Sequence, residues 1–457
     1  MKRLFLIVLI CLTAGLFAAA TQEEKFEPGT WDRMVHMAGG RGGVWESLVY
    51  GPMREKYNID FSFVDLDEST GQSITMPALV AANAWPDIYV GFIGRMGAFM
   101  TEDTALPLVI DESVWDTAIL DTMRRNGKLL GLPHSLPVQG IAINTDILDR
   151  ANFPVPDDDW TIYDFLDMCE AVKQLDDYAG DNNGVGVWPT FLYAKNMSAD
   201  YFYVGYFASF GAELFKDNDY TRSAVNDTEG GVNTMRFLKE IVDRGYTPKD
   251  SAQRPDVDMI VNFREGNVAA TGFRPNWVPG QVENAVKNGK LEEPFNYVVL
   301  PFPVAPGVSS PPPMPGIGTG AFAHITDNPE KAAILTEIIE RMMSSQENYF
   351  WDEDPNDASN RIIRVDSAGN KVIKPTGDIQ TRLGLKMEIL DEQTGKIIDI
   401  ARTVGFMDPG YAYEWYIETR GALPTVLRKL YNGDITPVEA ALEYESEVNR
   451  ILKEYSE

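Results

Sequence analysis

Reactive and basic side chains are scarce in this chain. Its 457 residues hold two cysteines and three histidines, and 40 lysines and arginines stand against 68 acids. The histidines (His36, His134, His324) fall in no recognised constellation and no Gly-x-Ser-x-Gly elbow is present, so nothing supports a nucleophilic triad. No His/Cys cluster suits zinc. The run Gly39-Gly40-Arg41-Gly42-Gly43 is not followed by Gly-Lys-Ser/Thr, which excludes a Walker phosphate loop. No motif calls for a cofactor. A formal charge of -28 repels nucleic acid and anionic lipid. It reads first as a solvated acidic surface, with a halophilic habitat or a cationic ligand as other readings.

Long apolar runs are equally rare; the clear one is at the start. Met1-Lys2-Arg3 is basic, Leu4 to Leu12 is unbroken and apolar, and Ala18-Ala19-Ala20 supplies small residues for a peptidase. That layout is a secretory signal with cleavage after Ala20, which predicts a periplasmic or otherwise extracytoplasmic protein. Lipidation at Cys11 is the lesser alternative, because Leu12 to Phe17 would leave an apolar stub. The run is too short to span a bilayer stably, and no later segment is long enough. Loss of Cys11 with the signal leaves Cys169 alone, so no internal disulfide is expected. A mature chain of roughly 435 residues exceeds what one core supports, so two or more lobes are expected, without a covalent staple.

Strand patterns at Met34 to Met37, Ile59 to Val64 and Ile88-Tyr89-Val90 alternate with helical patterns through Trp45, Leu48 and Val49 and from Met76 to Ala84. This predicts an α/β fold with mostly parallel sheets flanked by helices. Asn126-Gly127 marks a small hairpin, and Gly140 to Asn144 is a strand after Pro133 and Pro137, read as a crossing between lobes. Thr161 with Asp164, and Thr436-Pro437 with Glu439, are capping boxes. Val232 to Val242 is a helix stopped by Gly245, and Asn328 caps another with Pro329 at its first position. Asn296 to Phe302 reads as a strand and a return crossing. Two hairpins (Arg361 to Val365 with Lys371 to Ile373, and Leu385 to Leu390 with Lys396 to Ile400) make 351–402 a β-rich insertion. The expected lobes are 21–137 with 299–350, and 138–298 with 403–457.

The most informative residue is Trp277. An indole at a strand end beside Arg274 and Asn276 suits a flat, apolar, hydroxyl-rimmed ligand such as a sugar ring. Together with export, it points to capture of a small molecule rather than its transformation.

Four stretches carry a resemblance by their joint order: Pro86-Asp87-Ile88; Asn126-Gly127-Lys128 with Pro133 before Asn144; Gly266 to Ala270 leading to Trp277; and Asn328 to Ala332. On these the chain resembles the extracellular solute-binding proteins of family 1, the maltose-binding-protein-like carbohydrate receptors of ABC importers. The resemblance implies a two-lobed periplasmic-binding-protein fold (type II) with crossing hinge strands and ligand in the cleft. It also implies a monomer that delivers a sugar or oligosaccharide to a membrane permease, with no enzymatic step. Matching the family's ligand positions, Arg41 is the basic residue after the first strand, Arg95 the arginine after the Pro-Asp motif, Trp277 the aromatic platform and Tyr201 a further aromatic. Trp188 sits at a strand end as core or rim. At least one of Tyr411, Tyr413 and Trp415 is expected to reach the cleft. The family's acidic residue at the first crossing is replaced by Pro137, leaving His134 and Gln139 as the polar groups there.

Three rivals stand beside this reading. A secreted glycoside hydrolase needs two carboxylates at a set separation, which abundance of acids does not establish. A calcium protein would use Asp352 to Asp357 or Asp217-Asn218-Asp219, but Asp357 takes the glycine place and Ile363 the glutamate place of an EF-hand. A receptor of the same fold could hold an acidic sugar through Arg41, Arg95 and Arg274.

Overall fold

The computed structural model describes residues 31–40, 45–64, 66, 71–196, 199–215, 221–274, 277–310, 312, 314–315, 318–344, 351–354, 357–363, 378–380, 392–404, 406–407 and 419–456. Ten strands build the two main sheets: β1 (Met34–Ala38), β2 (Asp60–Val64), β3 (Ile88–Phe92), β4 (Leu132–Pro137), β5 (Gly140–Asn144), β6 (Trp188–Thr190), β7 (Val268–Phe273), β8 (Tyr297–Leu300), β9 (Thr319–Ala323) and β10 (Asp378–Gln380). The chain divides into two compact units. Unit 1 comprises Met1–His134, Thr319–Val372 and Thr381–Gly384; unit 2 comprises Ser135–Gly318, Ile373–Gln380 and Leu385–Glu457.

The first sheet has the order β10-β4-β9-β3-β1-β2, and β9, β3, β1 and β2 belong to unit 1. β1 runs parallel to both β2 and β3, whereas β9 returns antiparallel to β3. Val35, Met37, Ala38, Ile88 and Tyr89 are buried in its core, against Leu335, Ile338, Ile339 and Met342 of the helix Pro329–Ser344. Those helix residues recur at three- and four-residue spacing, which puts them on one face. Asn328 caps this helix as expected, its side chain accepting the Lys331 amide at 3.0 Å. β1 is followed by Gly39, whose φ of +77° and position, with an added Cβ only 2.3 Å from the Val90 carbonyl oxygen, admit only glycine. The Asn126-Gly127 hairpin is present between Arg124–Arg125 and Lys128–Leu129.

The segments Pro86-Asp87-Ile88 and 328–332 meet in this unit. The Lys331 ammonium lies 2.6 Å from the Asp87 carboxylate, and the two side chains are only 14% and 13% exposed. The same carboxylate accepts the His36 amide at 2.9 Å. The Asp87 amide donates to the His36 carbonyl, and the His324 amide donates to the Asp87 carbonyl. Trp85 stacks flat on His324, centroids 4.7 Å apart at 4°.

Unit 2 has the order β8-β5-β7-β6. β7 is central and buried at every position, as is β5, so both read as unbroken small and apolar runs. At Gly140 a Cβ would sit 2.5 Å from the Leu300 carbonyl oxygen, so glycine is required for β5 to approach β8. Both capping boxes form: Thr161 with Asp164 opens the helix Ile162–Lys173, and Thr436 with Glu439 opens Pro437–Ser456. Cys169 is fully buried on the first of these helices, and burial, then the Glu170 charge, raises its thiol pKa.

Three expectations change, and a fourth falls partly outside the described residues. The sheets are mixed: β1 to β3 and the β6–β7 pair are parallel, while β5 pairs antiparallel with both β7 and β8. Asn296 to Phe302 does contain a strand, but β8 stays in unit 2 and the chain changes unit after Gly318. Residues Lys396 to Ile400 are not a strand; Glu392–Val404 is a helix. Its Thr394, Ile397, Ile398 and Ala401 are buried, a helical period that outweighs the ~1 kcal/mol cost of Gly395. The strand Asp357–Ile363 pairs antiparallel with Trp351–Asp354, and its expected partner at 371–373 lies outside the described residues.

Removing one member of a buried ion pair strands the other. Asp87→Ala is therefore expected to destabilise the protein by about 3 kcal/mol or more, seen as a lower urea midpoint. Asp87→Leu combined with Lys331→Leu should lose less than Asp87→Ala alone; a larger loss would show that the pair itself is not the source.

Candidate ligand-binding site

In a sheet with parallel strands, the loops after the carboxyl ends are where side chains converge. Unit 1 presents the ends of β1 and β3 on one edge. Gly39 and Gly40 follow β1, and β3 passes at Phe92 into the one-turn helix Ile93–Met96, which carries Arg95. Thr319 pairs with Phe92, so β9 begins at this edge. Arg95 is half-buried near Tyr89; burial raises the Tyr89 phenol pKa and the Arg95 charge opposes that rise. His134 lies on β4 with Trp45 edge-on to it, ring centroids 6.2 Å apart at 71°. Burial lowers the His134 pKa to about 4, so its imidazole is neutral near pH 7 and offers one donor and one acceptor. Arg41 lies outside the described residues.

In unit 2 the corresponding edge is the carboxyl end of β7. Gly140 pairs with Phe273, which sets the fully buried Gln139 at the same end as Arg274 and Trp277. Trp277 is the N-terminal flanking residue of the helix Val278–Lys287, and it stays 37% exposed, unusual for an indole next to a core strand. Its amide donates to the Arg274 carbonyl at 3.0 Å. The Arg274 guanidinium lies over the indole, 4.4 Å from the ring centroid. A partly open indole with a guanidinium over its ring results.

Trp188 does not join this group. β6 runs parallel to β7 with Trp188 opposite Val268, the first residue of β7, so Trp188 sits at the end of the sheet away from Phe273. It is 6% exposed and meets Tyr178 edge-on at 5.8 Å. The strand was readable in sequence, but not which of its ends faced the site. Tyr201 belongs to the first turn of the helix Ala199–Ser209, and its side chain lies outside the described set. Asn276, Tyr411, Tyr413 and Trp415 also lie outside it.

Sequence reasoning missed Trp45 and the residues after β6. Trp45 was read only as part of a helix face, although its position just beyond the glycine-rich run was a usable signal. Beyond Thr190, Tyr193 and Tyr203 bond reciprocally: the Tyr203 hydroxyl donates to the Tyr193 carbonyl at 2.7 Å and accepts its amide at 2.6 Å. Tyr206 and Tyr431 are also buried, and burial raises the phenol pKa of Tyr203, Tyr206 and Tyr431, which marks a neutral packed cluster. Among the described residues, no group of three or more His, Cys, Asp or Glu could hold a metal ion. No helix among them is long and apolar enough to cross a membrane.

Residues 53–349 match the profile of the bacterial extracellular solute-binding proteins. The chain belongs to that family. Members bind solutes outside the cytoplasm. No curated protein matches the sequence. Among solved structures, the chain is similar to the GacH receptor of Streptomyces glaucescens, which was solved unliganded and with acarbose. That pair is 15% identical, covers 92% of this chain and 98% of the other, and has a TM-score of 0.65. It is similar to the sugar-binding protein MalE of Xanthomonas citri at 13% identity, 93% and 98% coverage and a TM-score of 0.65. It is also similar to a solute-binding protein of Staphylococcus aureus in complex with maltose, at 16% identity, 95% and 100% coverage and a TM-score of 0.64. The fold of this solute-binding protein is thus the two-lobed one of the periplasmic binding proteins.

The low His134 pKa has a stability consequence. The unfolded chain takes up a proton near the ordinary 6.5, the native one only near 4, so stability falls as pH drops through that window and is unaffected above it. Thermal midpoints of the wild type and His134→Gln, measured from pH 7 to pH 4, should diverge, the variant losing less on acidification. Parallel curves would contradict this assignment.

Proposed function

We propose that this solute-binding protein captures a sugar or short oligosaccharide, as a monomer, and delivers it to the permease of an ABC importer. The observation that carries the reading is the exposed Trp277 indole at the carboxyl end of β7, beside the Arg274 guanidinium. Stacking a pyranose C–H face on an indole removes apolar surface from water at both partners, and a rigid ring loses little entropy in the process. Within unit 1, Arg95 and neutral His134 are the hydroxyl-binding candidates among the described residues; Gln139 of unit 2 is fully buried behind the end of β7. Solved relatives that hold acarbose and maltose support the ligand class.

Capture needs no bond-making step. The ligand shifts the receptor toward the conformation that binds it best, in proportion to its differential affinity for that conformation. A permease that recognises the loaded form then turns capture into uptake.

Thermal shift against maltose, maltotriose, acarbose, tagatose and galacturonate, with amino acids and short peptides as controls, tests the reading. A saccharide at ~100-fold its Kd should add about 2.7 kcal/mol of apparent stability. Trp277→Ala should leave the unliganded midpoint in place and weaken that saccharide about tenfold or more. A response confined to amino acids or peptides, or undiminished sugar affinity in Trp277→Ala, would overturn the proposal.

A further inference from the structure

Arg274 stands in the sequence as a plain ligand contact. Its geometry argues for a different role. The guanidinium carbon is 4.4 Å from the Trp277 ring centroid, well inside the ~6 Å reach of a cation–π contact. Phe273, fully buried at the end of β7, meets the same indole at 6.1 Å and 77°. The backbone hydrogen bond from the Trp277 amide to the Arg274 carbonyl holds the two residues at this spacing. The indole is therefore gripped by a cation and by a core ring, while 37% of the residue remains open. An exposed tryptophan without such a grip would spread over several rotamers and lose that freedom on binding.

We propose that Arg274 is a positioning residue that acts through Trp277: it orients the indole before the ligand arrives, rather than bonding to the ligand itself. This rests on the reading of Trp277 as a stacking platform. A lysine ammonium can also sit over an indole, whereas it cannot reproduce a forked guanidinium contact to a ligand. Arg274→Lys and Arg274→Ala thus separate the two roles.

The first measurement needs no ligand. In protein labelled with 5-fluorotryptophan, the Trp277 resonance is identified by its loss in Trp277→Phe. Arg274→Ala should shift and broaden that resonance, Arg274→Lys should keep it near the wild-type position, and the signals of the other tryptophans should stay in place. An unmoved Trp277 resonance in Arg274→Ala overturns the proposal. The second measurement is calorimetric titration with maltotriose. Arg274→Ala should weaken binding about threefold to tenfold, and Arg274→Lys should restore most of it. In a Trp277→Ala background, Arg274→Ala should add no further loss, the non-additivity expected of one residue acting through another. Equal losses from Ala and Lys, or a loss that persists without Trp277, would overturn the proposal. If the wild type takes no saccharide, the function proposed above fails, and the fluorine resonance alone decides the role of Arg274.

Discussion

The carboxylate of Asp87 sits where three separately encoded segments of unit 1 meet. It pairs with the Lys331 ammonium, receives the His36 amide, and its own backbone bonds to His36 and His324. Two desolvated charges hold each other in place because either one alone would be costly to bury. The contact fixes β3 between β1 and β9 and seats the first turn of the helix Pro329–Ser344 against the sheet. Everything at the far ends of those strands, including the turn at Gly39 and the placement of Arg95, inherits its position from that arrangement. Two of the four stretches that carried the family resemblance therefore meet as framework.

Unit 2 achieves the same end by packing. β7 lies between β5 and β6 and exposes no side chain, so its register is set by close approach of small residues. The strand then ends abruptly, and within a few residues the chain passes from full burial at Phe273 to a partly open indole at Trp277. A rigid strand that carries an aromatic ring just beyond its own end holds that ring in a defined place, which is what the proposed stacking role requires.

Much of this was legible from residue order. Caps at Thr161, Asn328 and Thr436, the Asn126-Gly127 turn and the strands at Met34, Asp60 and Ile88 all follow local rules that tertiary structure did not override. The failures have a common physical cause. Alternation reveals a strand but not its neighbours, so the antiparallel placement of β5, β8 and β9 was invisible. Gly395 looked like a turn because local preference was weighed above the spacing of Thr394, Ile397, Ile398 and Ala401. The Arg274–Trp277 contact was equally invisible, because no sequence pattern announces that a cation will settle on a neighbouring ring.

The burial of Cys169 bears on how such a protein persists outside the cytoplasm. Thiol exchange requires the thiolate, and this sulfur is both enclosed and held protonated by its surroundings. Both features disfavour its exchange with foreign thiols. No disulfide forms at Cys169, so the helix that carries it is held in the core by packing of its neighbours.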